Sequence, residues 1–211
     1  MPLPAKNLRL VRLAALAGMS GPLLFGAMLV LLTALEYDFM RSLRWDPVLA
    51  ATTDWPSGLS LGPYGGWMVA SFILGGLLLM LFALGLRELF PASPGPACLL
   101  LAGIGLMALS SLTDPTYSSN PPTLHGQVHD AAYVLLGLGL LPGLFFMARA
   151  FSRRPEWRVH AWLTWLVLDL ALPTFIIKEF TFYIFLLAIL AWYELSAIKL
   201  WRDLSLLPAS Q

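Results

Sequence analysis

Residues 64–86 read YGGWMVASFILGGLLLMLFALGL, without one charged side chain. A helix needs about 20 mostly apolar residues to cross a bilayer, and this stretch supplies them. Five more segments have the same character: Leu13–Leu35, Ala97–Thr113, Ala131–Phe151, Val159–Ile177 and Phe180–Trp201. Ala97–Thr113 is the shortest, about 25 Å at a rise of roughly 1.5 Å per residue, so it must stand nearly upright. The sequence therefore predicts an all-α fold. It is a polytopic membrane protein with one domain, residues 1–211, built as a six-transmembrane-helix bundle.

Composition agrees. Hydrophobic residues are 58% of the chain and charged ones 12%, where a soluble domain carries about a quarter charged. Mean hydropathy is +0.75. The net charge of +1 is spread in short basic clusters between apolar runs, which points to membrane lipids and not to nucleic acid as partner. Cys98 is the only cysteine, so an intrachain disulfide and a cysteine metal motif are both excluded. Lys6, Arg9 and Arg12 precede an apolar run longer than the roughly 7 to 15 residues of a signal-peptide core. That run is expected to stay as the first helix.

With six spans, one face receives Lys6, Arg9, Arg12, Arg87, Arg149, Arg153, Arg154, Arg158, Lys199 and Arg202, ten of the 13 basic residues. Arg41, Arg44 and Lys178 fall on the other. Excess Lys and Arg marks the cytoplasmic side, so both termini are expected there, with the long connections 36–63 and 114–130 outside. Trp55, Trp67, Trp157, Trp162 and Trp201 fall near the expected interfaces, where aromatic residues anchor. Pro22, Pro142 and Pro173 each remove one backbone donor inside a span. Gly139/Gly143 and Gly62/Gly66 have the GxxxG spacing, which fits packing within the chain or a homodimer interface.

The polar loop 114–130, DPTYSSNPPTLHGQVHD, holds two of the three histidines. Pro115 stops the preceding helix, Ser118 to Pro122 is turn chemistry, and Thr123 is suited to cap the next helix. His125 and His129 then stand one turn apart on one face. With Asp114 as third ligand they form a candidate site for Zn or another divalent metal, and Asp114 or Asp130 could serve as ligand or base. Seven acidic residues against three basic ones on this face favour a cation. Hydrogen-bonded capping histidines are the plainer alternative.

Asp169 and Glu194 lie inside the fifth and sixth expected spans. An acid there costs roughly 2.5 to 3.5 kcal/mol on insertion scales, and is expected to face the bundle, protonated or paired. Three functions stay open. One is a membrane-embedded, metal-dependent hydrolase acting through the His/Asp cluster. The second is a small proton-linked permease using Asp169 and Glu194. The third is a non-catalytic accessory or sensory protein whose outer loops bind an ion, a lipid or a partner, with Arg41, Arg44 and Trp45 near headgroups.

The stretch from Leu59 to Trp67, LSLGPYGGW, is followed by Phe72 and the run Gly75–Leu86. Further on come Thr113-Asp114-Pro115 and the His-Gly-x-x-His of His125, Gly126 and His129. In combination these resemble the domain-of-unknown-function 998 family of prokaryotic integral membrane proteins, over about Leu13 to Arg154. Where family members often show Ser-Asp-Leu, this chain has Ser57-Gly58-Leu59. The resemblance implies a six-helix protein of a bacterial or archaeal cell membrane, with no assigned reaction.

Overall fold

The computed structural model describes residues 7–43, 56–116, 119–174 and 179–205, and every regular element among them is a helix. The helices are α1 (Leu8–Leu35), the short α2 (Tyr37–Ser42), α3 (Gly65–Leu89), α4 (Gly95–Ala108), α5 (Leu124–Ser152), α6 (Arg158–Thr174) and α7 (Glu179–Ser205). One-turn 3₁₀ segments sit at Ser57–Leu61, Leu109–Ser111 and Pro155–Trp157. Each expected span has its helix. Lys6, Arg44, Trp45, Trp55, Ser118 and Lys178, singled out from the sequence, lie outside the described residues.

Helix starts follow local capping chemistry. The Asn7 side chain accepts from the Leu10 amide at 3.1 Å, so α1 begins before the apolar run and includes Arg9 and Arg12. Thr123 accepts from the Gly126 amide at 3.3 Å, so α5 begins seven residues before the expected span at Ala131 and takes in both histidines. The capping residue thus governs the boundary, and hydropathy governs the middle.

Four helices are long and apolar enough to cross a membrane: Leu8–Leu35, Gly65–Leu89, Leu124–Ser152 and Thr181–Ser205. The apolar stretch Gly95–Ser111 is shorter, and α6 has 17 residues.

The packing order is that of a closed ring. α1 contacts α3, α3 contacts α4, and the chain continues through α5, α6 and α7, which returns to α1. Backbones approach closely at these seams. A β-carbon on Gly76 would lie 2.5 Å from the Gly103 carbonyl oxygen, and one on Gly85 2.2 Å from the Ala14 β-carbon. A β-carbon on Gly139 would lie 2.3 Å from the Ala102 nitrogen, and one on Gly143 2.9 Å from Leu99. The Gly139/Gly143 pair is therefore the α4–α5 seam of this chain. Small residues at such contacts let dispersion act between backbones.

Two apolar clusters fill the ring. The larger, toward the end where α3, α5 and α7 finish, is built on Phe82, Leu86, Phe151, Trp157, Trp192 and Ala197. There Phe151 and Trp157 stack with centroids 4.7 Å apart, and Arg154 donates to the Leu89 carbonyl while lying over the Phe90 ring. The smaller, at the opposite end, gathers Phe25, Leu29, Met40, Leu59, Met68 and Phe72.

Candidate functional site

The histidine loop is held by its own backbone. At the end of α4, Asp114 Oδ1 accepts from the Thr116 amide at 2.9 Å and from its hydroxyl at 2.8 Å. The Thr116 amide, seconded by that hydroxyl, holds the Asp114 carboxyl below the usual aspartate range. His125 Nδ1 lies 3.0 Å from the Ser111 carbonyl oxygen and 3.2 Å from Thr113 Oγ1. A carbonyl only accepts, so geometry assigns the proton to Nδ1. His125 thus ties the start of α5 to the end of α4, the capping role.

His129 differs. Its side chain is 14% exposed, and Nδ1 is 3.6 Å from the Asp130 carboxylate, itself 80% exposed. That separation is an ion-pair distance if the ring is protonated and too long for a hydrogen bond. No group of three or more His, Cys, Asp or Glu among the described residues is placed to hold a metal ion. His125 is turned to the α4 terminus, Asp114 to Thr116, and His129 to the interior. Among the described residues the expected set of His125, His129 and Asp114 is therefore not placed to hold Zn or another divalent ion.

What His129 faces is a chamber of about 260 Å³ between the two apolar clusters. All six long helices line it: Phe25 of α1, Phe72 of α3, Leu106 of α4, Leu140 of α5, Thr174 of α6 and Leu186 of α7 are examples. Ser57, His129 and Asp130 stand at one end of it and Trp192 and Tyr193 toward the other, as their positions along the helices require. From His129 to Leu140, eleven residues along α5, it runs about 16 Å at the helical rise. Mostly apolar walls with a few polar groups at one end are the usual make-up of a small-molecule site.

A second feature stands beside it. Glu36, just beyond α1, is 1% exposed. Its Oε1 accepts from the Tyr64 amide at 2.7 Å, and Oε2 is buried without a partner among the described residues. Burial, opposed by the Tyr64 amide, raises the Glu36 carboxyl above the usual glutamate range. A β-carbon on Gly62 would lie 2.3 to 2.5 Å from the carboxylate atoms. The Gly-Pro-Tyr-Gly-Gly segment is therefore a wrap around Glu36. Gly66 has open space about it, so the Gly62/Gly66 pair is not a packing seam between the described helices of this chain.

The acids of the apolar helices are not brought together as partners. Asp169 is exposed on α6, against the expectation that it faces the bundle, because the buried face of α6 is set by Ala161, Thr164, Val167, Leu168 and Ala171. Glu194 is half-buried, and its Oε2 has no partner among the described residues. Thr164, on the buried face of α6, donates to the His160 carbonyl at 2.5 Å and accepts from Trp192 Nε1 at 2.8 Å. Sequence reasoning missed the chamber and Glu36. The signals for Glu36 were an acid directly at the end of a span and the glycine-rich segment opening the next.

The profile of the family described as "Protein of unknown function (DUF998)" matches residues 28–199. No curated protein and no solved structure matches the chain.

Proposed function

The chain belongs to the DUF998 family of proteins of unknown function, and from that premise we propose that it is a binding protein of a prokaryotic cell membrane. All six long helices cross the bilayer, both termini are cytoplasmic, and the ring takes up an apolar small molecule or lipid chain from its outer end. Ring closure supports the count of six. α4 sits between α3 and α5, and α6 between α5 and α7, and a helix wedged between two spanning helices is carried through the membrane with them. The concentration of Lys and Arg at the ends holding Arg87, Arg153 and Arg202 supports the orientation.

The observation that carries the binding role is the chamber itself, mostly apolar, reached by helices from the whole ring, with its histidine and aspartate at one end only. Close-packed interiors leave few voids larger than a water molecule, so a space of this size between two well-packed clusters is a feature of the fold. The function is of the accessory or sensory kind, occupancy without turnover. The test is mass spectrometry of small molecules extracted from purified protein and from Leu186→Trp, which fills the lining. A compound enriched with the wild type and lost from the folded variant supports the role. Identical extracts from both remove it.

A further inference from the structure

We propose that the ligand of this chamber is an apolar molecule with an oxygen acceptor at its leading end, received by the hydroxyl of Tyr193; this rests on the binding role above. Tyr193 is 7% exposed and lines the deep end of the chamber. Its Oη is buried and makes no hydrogen bond among the described residues. A β-carbon on Gly21, another lining residue, would lie 3.3 Å from that oxygen, which places the hydroxyl beside the α1 wall. The ring is fixed against Phe82, with centroids 4.7 Å apart, so its orientation is set before any ligand arrives.

A buried hydroxyl without a partner is unfavourable, because it has given up water and received nothing in return. Of the other polar groups that line the chamber, Trp192 Nε1 beside the tyrosine is already committed, donating to Thr164 Oγ1. Thr174, at the far end, has its hydroxyl within reach of the Leu170 and Thr181 carbonyls at 3.0 and 3.2 Å. Glu194, next in sequence, is not among the lining residues. The rest of the deep wall is Pro22, Phe25, Leu79 and Leu140. An ordered water needs two to four polar partners, and this wall presents the tyrosine alone. A carbonyl-type oxygen on an apolar body answers both demands. The body fills the apolar space, and the oxygen accepts the one donor. A pure hydrocarbon answers only the first.

The experiment compares 2-acetylnaphthalene with 2-isopropenylnaphthalene, a ketone and its alkene isostere, by equilibrium dialysis of purified protein in micelles against empty micelles. One hydrogen bond predicts a preference for the ketone of about tenfold, beyond its micelle partition. Tyr193→Phe keeps the ring and removes the oxygen, so the preference should fall to about one with alkene binding unchanged. Thermal unfolding of the variant confirms that it is folded. If the wild type binds both probes equally, the Tyr193 assignment is overturned and the chamber stands. If neither probe binds, or if Leu186→Trp binds both as the wild type does, the binding role itself falls and this inference falls with it.

Discussion

Glu36 Oε1 accepts the backbone N–H of Tyr64 at 2.7 Å, and this bond joins the C-terminal end of α1 to the start of α3. Around it, Ser57 to Ser60 are buried, and the Cα of Gly62 rests against the carboxylate. A carboxylate shut away from water needs such donors, since an unpaired buried polar group costs about 1 to 3 kcal/mol.

Gly62→Ala is expected to destabilise by about 1 to 3 kcal/mol, the range for forcing a methyl into a filled site. The clash falls on a carboxylate that cannot withdraw without losing Tyr64. Thermal unfolding in detergent measures it. An unchanged midpoint would show that the wrap is loose.

The pH dependence of stability has a sign set by two carboxyls. Glu36 in the folded chain titrates above its ordinary range, chiefly through burial. The folded state therefore binds that proton more tightly than the unfolded state does. Its contribution is fully present below the ordinary glutamate range and is lost as pH rises through the raised value. Asp114 is shifted the other way by the Thr116 amide and hydroxyl, so its contribution is present above the ordinary aspartate range and lost as pH falls. Glu36→Gln should flatten the first slope and leave the second, as read by unfolding midpoints across a pH series.

Gly139→Leu should disrupt the α4–α5 seam, because even a β-carbon there would lie 2.3 Å from a backbone nitrogen. Backbone cannot rotate aside as a side chain does, so the loss should exceed that of Gly66→Leu, where nothing lies within 4 Å. Equal melting of the two variants would contradict the ring.

The topology can be read by thiol labelling in a Cys98→Ser background. An impermeant maleimide added to intact cells should label Ser119→Cys and spare Ser152→Cys, and should label both after lysis. The reverse pattern would invert the orientation, and labelling of both in intact cells would break the span count between them.

Metal content separates the chamber reading from a metal centre. Elemental analysis of the wild type and of His125→Ala/His129→Ala should give the same result, because the geometry commits His125 to Ser111 and Asp114 to Thr116. One equivalent of zinc, present in the wild type and lost from the double variant, would restore a metal site at this loop.

The sequence by itself determined the helices. Inside a bilayer, backbone groups must bond within their own segment, so apolar length alone locates the helical segments. The residues that cap them, Thr123 among them, are equally local. Placement of His125 and His129 on adjacent turns of α5 is local too, since it needs only the helical period. Tertiary structure decided the rest. The order of the ring, the exposure of Asp169 and the void between two apolar clusters depend on which faces meet. Helices this uniformly apolar carry little facial signal. Glu36 shows the same division in one residue. Its position at a span end is plain in the sequence. Its burial exists only because a segment almost thirty residues later folds back over it, and hydropathy along the chain holds no record of that contact.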